Sequence, residues 1–205
     1  MKKLTDAIIA MEWDMFDKVE SVSGRADCQD DRATFDLMRG SQFEAWSEDM
    51  LRSYLADLEE AREDGRNLLT EKYAYIMEYT APLEFQAIKD RLPPVSDDKK
   101  AAVRRIADLC LADYDAFAAE YPLLAARSRP SRIDRQTDEH PSAEAYMLGE
   151  LSTFSLRTLR LYLEHLSRLR ESGRSISRAI IENSVKKYGF ASLEDAEARL
   201  REAKA

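Results

Sequence analysis

Apolar side chains recur along this chain every three or four residues, the period of a helix with one buried face, and no segment alternates with the two-residue period of a strand. Over residues 4–19 one stripe holds Leu4, Ile8, Met11 and Met15 and another holds Ile9, Trp13 and Phe16, so this helix is expected to be buried centrally. Asp30 and Asp31 precede a second helix that carries Phe35, Met38, Gln42 and Trp46; acids there suit the positive end of the helix dipole. Ser47 is a good N-cap for a helix with Leu51, Tyr54, Leu55, Leu58 and Ala61 inward, and Gly65 is its natural terminator. A helix over about 67–79 follows, then a short one opened by Pro82, and Pro93-Pro94 marks a seam. Ser96 starts the longest helix of the second half, which buries Val103, Ile106, Cys110, Tyr114 and Phe117. Residues 122–141, with Arg127, Arg129, Arg132 and Arg135, read as the longest loop. Helices are then expected over about 142–154, 156–172 and 175–188, with a short one beginning at Ser192.

The pattern repeats. Residues 47–66 return 108 positions later as 155–174, with Ser47, Leu51, Arg52, Tyr54, Leu55, Leu58, Arg62, Glu63, Gly65 and Arg66 all identical to their counterparts. At an offset of 101, Glu12-Trp13-Asp14-Met15-Phe16 aligns with Asp113-Tyr114-Asp115-Ala116-Phe117. The expected fold is therefore one all-α bundle of about nine or ten helices, built from two pseudo-symmetric repeats over approximately 4–92 and 97–200.

Composition narrows the function classes. With 39 acidic and 31 basic residues the formal charge is −8, which disfavours a phosphate backbone as partner and points to no nucleic-acid role. No apolar run is long enough to span a bilayer, and an acid interrupts the start before any signal-type apolar stretch, so the expectation is a cytoplasmic protein. Cys28 and Cys110 are too few for a disulfide framework and are not spaced for zinc.

Candidate chemistry comes from polar residues on apolar stripes. Glu12 lies between Ile8 and Phe16, Asp113 between Leu109 and Phe117, Gln42 between Met38 and Trp46, and Glu150 between Tyr146 and Phe154, so all four are expected to face the core. Buried carboxylates must be paired, hydrogen-bonded, protonated, metal-bound or wetted. Two readings follow: a polar pocket near the symmetry axis, with Arg39, Asn67, Glu71, Lys72 and Tyr73 as further walls, or an internal ion-pair network that fixes helix register. Trp13, Trp46 and Tyr114 would add aromatic faces to a pocket, which suits a cation. No motif names a cofactor: there is no Glu-x-x-His pair, glycine-rich phosphate loop or nucleophile elbow. An oxygen-ligand site for magnesium or manganese using Glu12, Asp113 and Glu150 rests on residue type alone, and no metal is assigned. His165 is expected to face outward, and the arginines of residues 122–141 to lie in a solvated loop.

Several stretches resemble the uncharacterised bacterial family catalogued as domain of unknown function 4125, many of whose members come from anaerobes. They are Glu12-Trp13-Asp14-Met15-Phe16, Cys28-Gln29-Asp30-Asp31, Met38-Arg39-Gly40-Ser41-Gln42-Phe43, the run from Gly65 through Ala74, and Leu159-Arg160-Leu161-Tyr162-Leu163-Glu164-His165. The resemblance implies no activity. Its sharpest motifs lie in the first half, which places any ligand nearer that half. The leading expectation is a protein that binds a small polar or cationic molecule, extending to an enzyme that uses a buried carboxylate of raised pKa as general base. The competing expectation is a helical module that docks a partner protein, or a second copy of itself, and has no small-molecule site.

Overall fold

The computed structural model describes residues 1–20, 24–137 and 140–203. Eleven α-helices and three short 3-10 turns, with no strand, make up the regular structure of these residues. The helices are α1 (Lys2–Asp17), α2 (Arg32–Phe43), α3 (Glu48–Glu63), α4 (Leu68–Thr80), α5 (Pro82–Ile88), α6 (Asp97–Glu120), α7 (Pro122–Ala125), α8 (Ala143–Thr153), α9 (Leu156–Glu171), α10 (Ile176–Lys187) and α11 (Leu193–Glu202). None of them is long and apolar enough to cross a membrane. A helix-start role for Asp138 and Glu139, matching Asp30 and Asp31, falls outside the described residues, as does part of the loop expected before Asp30.

Local chemistry sets most boundaries. Ser47, Ser96, Ser142, Ser155, Ser175 and Ser192 each accept a backbone N–H at a helix start, and Asp31 does the same for α2. Both α3 and α9 end on a glycine in the left-handed region, Gly65 at φ +70° and Gly173 at φ +68°. The residue after each glycine donates back to the helix, Arg66 N to Ala61 O at 2.7 Å and Arg174 N to Leu169 O at 2.8 Å. This is the Schellman arrangement, which a side chain at the glycine would strain. The helix that the sequence does not anticipate is α7. Pro122 opens it, and the buried Glu197 carboxylate, brought in by α11, accepts from Leu123 N at 3.0 Å and Leu124 N at 2.9 Å. Four residues form a helical turn here because a carboxylate 73 positions away satisfies its free N–H groups.

The helices pack in matching ways. Displaced by 108, α3 coincides with α9 and α4 with α10 to within one residue. Packing of α4 on α8 is matched by α10 on α2, and packing of α1 on α2, α3 and α4 by that of α6 on α8, α9 and α10. We propose that these correspondences reflect a duplicated unit. Along the line where α3 meets α9, Asp57 Oδ2 accepts from Ser155 N at 2.9 Å and from Thr158 Oγ1 at 2.7 Å, and Ser53 Oγ lies 2.8 Å from Thr158 Oγ1. The position 108 beyond Asp57 is His165. It is half-buried rather than outward-facing, and its Nε2 lies 2.9 Å from the Ala45 carbonyl just ahead of α3.

One hydrophobic cluster runs through both halves, with Ile8, Phe43, Leu51, Leu58, Ile106, Leu148, Phe154 and Leu159 among its fully buried members. A smaller one gathers Phe117, Tyr121, Val185, Leu193 and Ala196 at the far end of α6. Helices α4 and α8 approach unusually closely at Gly149. A Cβ added there would lie 2.9 Å from the Lys72 carbonyl oxygen and 3.1 Å from the Ile76 nitrogen. That contact places Lys72 against α8.

Candidate functional site

The close approach of α4 and α8 completes a cluster of charged side chains drawn from four helices. Glu12 on α1 is wholly buried. Its carboxylate accepts from Arg39 Nε on α2 at 2.7 Å, from Arg39 Nη2, and from the Tyr54 hydroxyl at 2.7 Å. This is the two-pronged geometry in which a guanidinium is strongest. Arg39 also reaches outward: its Nη1 donates to Gln42 Oε1 at 2.7 Å and to Glu150 Oε1 at 3.1 Å. Glu150 on α8 also accepts from Gln42 Nε2 at 2.9 Å and from Lys72 Nζ at 2.5 Å. Two carboxylates thus meet two cations, and every bond runs from donor to acceptor.

Electrostatics follow from this arrangement. Burial alone would raise the Glu150 carboxyl, but Arg39 and Lys72, with the bonds from Lys72 and Gln42, outweigh it and hold it well below the usual carboxylate range. Such a group stays ionised at neutral pH and makes a poor general base, contrary to the expected raised pKa. The Tyr54 hydroxyl is pushed well above its ordinary value by burial and then by Glu12, so it serves as a donor and not as a phenolate.

Of the residues singled out from sequence, Glu12, Arg39, Gln42, Lys72 and Glu150 come together. Tyr73 stands beside them, close enough for its hydroxyl to feel Arg39 and Glu150, and its ring meets Tyr146 at 6.4 Å. The rest lie elsewhere. Asp113 is largely buried, as expected, but away from the cluster: it is bonded to Arg170 at 2.8 Å, and its Oδ2 is buried with no partner among the described residues. Position 147, which is 108 beyond Arg39, is a methionine. Tyr114 belongs to the far cluster, with its hydroxyl on the Ala125 carbonyl at 3.3 Å.

Trp46 is sealed among Phe43, Tyr54, Phe154 and Tyr162, and its indole N–H has no partner among the described residues. Trp13 packs on Phe16 and Phe35, with the Arg32 guanidinium 5.0 Å from its ring. Asn67 caps α4 through Leu69 N and Thr70 N and donates to the Met15 carbonyl at 2.8 Å. Glu71 is held by Arg66 in two bonds of 2.8 Å. Asn67 therefore anchors α1 to α4, at the border of a surface cleft that Met15 and Arg66 also line, and Glu71 ties the start of α4 to Arg66; neither joins the cluster.

Gln29, in the Cys28-Gln29-Asp30-Asp31 motif, carries no sequence signal of its structural role. Its amide donates to the Phe16 carbonyl at 2.8 Å and the Val19 carbonyl at 2.9 Å, closing the end of α1. Helical spacing places Tyr54 in the core, where it is found. The available signal was its hydroxyl, which in a buried tyrosine needs a partner. Cys28 is exposed and Cys110 buried; burial pushes the Cys110 thiol up to about 12, so it is inert. The described residues contain no group of three or more His, Cys, Asp or Glu placed to hold a metal ion.

Aromatic faces near the cluster already carry cations of the protein itself. Arg39 lies 4.7 Å from the Phe43 ring, and Arg129 lies 4.3 Å from the Tyr146 ring. The arginine-bearing segment is correspondingly less free than its sequence suggests: Arg132 pairs with Asp115, and the Gln136 amide donates to the Tyr79 carbonyl at 2.7 Å. Among the described residues, the clefts beside α1, α4, α5, α6 and α10 are lined by residues other than Glu12, Arg39, Gln42, Lys72 and Glu150.

Fold and cluster together define an all-α bundle with a buried, charge-balanced centre shared by α1, α2, α4 and α8. The chain belongs to the family described as protein of unknown function (DUF4125), which it matches over residues 2–198. No curated protein and no solved structure shows significant similarity to it.

Proposed function

We propose that this is a cytoplasmic binding protein for a small polar molecule with an anionic group, held at the outer edge of the cluster. One observation carries the reading. Glu12 is completely enclosed, yet the side chains of Arg39, Lys72 and Glu150 keep 11%, 13% and 14% exposure, so the network opens to solvent at one end. That opening holds two cations and one carboxylate, with Tyr73 and Tyr146 beside it. An anionic group bonds there by taking the place of Glu150 on Lys72 and Arg39, an exchange of one carboxylate for another that leaves the Glu12–Arg39 pair intact. A cationic ligand is less well served, because arginines already cover the neighbouring aromatic faces. The exposed Cys28 thiol suits a reducing compartment.

Thermal-shift screening against carboxylate- and phosphate-bearing metabolites tests this. A stabilising compound is expected whose effect weakens about tenfold or more in Lys72→Met, while Glu59→Gln, on an exposed position of α3, leaves it unchanged. If no compound stabilises the protein, or its effect ignores Lys72, the cluster is a structural network. The alternative reading, a helical module that docks a partner, then takes its place, and the protein is expected to co-purify with a partner from native lysate.

A further inference from the structure

Among the described residues five arginines lie against an aromatic ring, and four of them also hold a carboxylate. Arg32 on Trp13 pairs with Asp36, Arg39 on Phe43 with Glu12, Arg178 on Tyr121 with Glu120, and Arg199 on Phe190 with Asp195. Arg129 is the exception. Its guanidinium stands 4.3 Å from the Tyr146 ring on an exposed residue, with no ion pair or hydrogen bond among the described residues. A guanidinium placed on a ring keeps its N–H fork for a planar anion.

That unused fork stands beside the open edge of the cluster. Tyr146 lies one helical turn before Glu150 on α8, roughly 6 Å along the helix axis, and its ring meets Tyr73 at 6.4 Å. The Tyr73 hydroxyl in turn feels the charges of Arg39 and Glu150. Neither tyrosine hydroxyl has a hydrogen-bond partner among the described residues. Burial pushes the Tyr73 hydroxyl well above its ordinary value, so it stays protonated and able to donate. The rim thus gathers a guanidinium and two phenol hydroxyls, and none of the three meets an acceptor of the protein among the described residues. Glu150, one turn further along α8, is already shared by Arg39, Gln42 and Lys72.

We propose that the ligand of this site is a dicarboxylate. One carboxylate takes the place of Glu150 on Lys72 and Arg39, so the inference rests on the function proposed for the cluster. The second lies about one helical turn away on the Arg129 guanidinium, with the Tyr73 and Tyr146 hydroxyls as donors between the two. Arg129 then determines specificity, separating a diacid from a monoacid of equal length, while the inner cations supply the affinity common to both.

Calorimetric titration of the full chain with adipate, with hexanoate as the monoacid of equal length, and with inorganic phosphate as a compact dianion tests the assignment. Adipate is expected to bind at least about tenfold more tightly than hexanoate or phosphate, by a margin that shrinks as salt is raised. Arg129→Gln, at an exposed position, removes the margin and leaves hexanoate binding as it was, and Arg129→Lys restores part of it. Lys72→Met weakens both acids. The inference is overturned if adipate binds no better than hexanoate, if phosphate matches it, or if its margin survives Arg129→Gln. In those cases hexanoate binding that still depends on Lys72 leaves the anion site of the cluster standing. Binding of neither acid, or binding indifferent to Lys72, removes both.

Discussion

Arg39 is the residue on which the buried cluster turns, since it alone touches both carboxylates. Removing it leaves the fully buried Glu12 carboxylate with only the Tyr54 hydroxyl as donor among the described residues. Breaking a buried pair from one side costs far more than the pair contributes, so Arg39→Met is expected to lower unfolding free energy by about 3–5 kcal/mol, measured by urea denaturation. Arg39→Lys recovers little of this. An ammonium cannot span Glu12, Gln42 and Glu150 with the flat fork that a guanidinium provides. Among the site residues, faces were legible from helical spacing: Glu12, Gln42 and Glu150 were placed inward by their apolar neighbours, and inward they are. Partners were not legible, because a stripe says which way a side chain points and not what waits there.

Between elements, the telling contact is α4 against α8. Gly149 permits it, and a methyl group would strike the Lys72 carbonyl and Ile76, which are backbone and core and cannot move aside. Gly149→Ala is expected to destabilise by about 1–3 kcal/mol through forced separation of the helices. Gly40 sits on α2 in a more open setting, where its nearest neighbour is the flexible end of Lys187. There Gly40→Ala is expected to stabilise by about 0.5–1 kcal/mol from helix propensity. Thermal melts of the two variants should move in opposite directions; a shift of the same sign in both would mean that the close approach is not what governs α4 and α8.

For the whole molecule, the cluster ties the two halves, because Glu150 comes from the second and its three donors from the first. Its folded-state carboxyl lies below the ordinary unfolded value of about 4.3. The folded state therefore binds the Glu150 proton less readily, and the stability it contributes is fully present above the unfolded value. It is lost as pH falls through the lower folded one. Glu150→Gln is expected to cost about 2–4 kcal/mol at pH 7 and at pH 5. The gap from the unaltered protein then narrows below about pH 4, as the carboxylate of the latter is protonated. Chemical denaturation at three pH values reads this directly, and a gap that persists unchanged to pH 2 would show that Glu150 is not held by its cations.

Ten of the eleven helices, all but α7, together with their caps and terminators and the 108-residue correspondence, are legible in the spacing of residues along the chain. These depend on neighbours within a turn or two: a serine reaches the N–H three residues on, and a glycine closes the turn it follows. Tertiary structure alone decided which charges meet. The partners in the cluster are 27, 78 and 111 residues apart, and Asp113, which shares the local pattern of Glu12, meets Arg170, 57 residues further along the chain. The same holds for α7, which forms on a carboxylate from α11. Helix formation is a short-range property of the chain. Pairing of buried charge depends on what packing brings within about 3 Å, which no local spacing encodes.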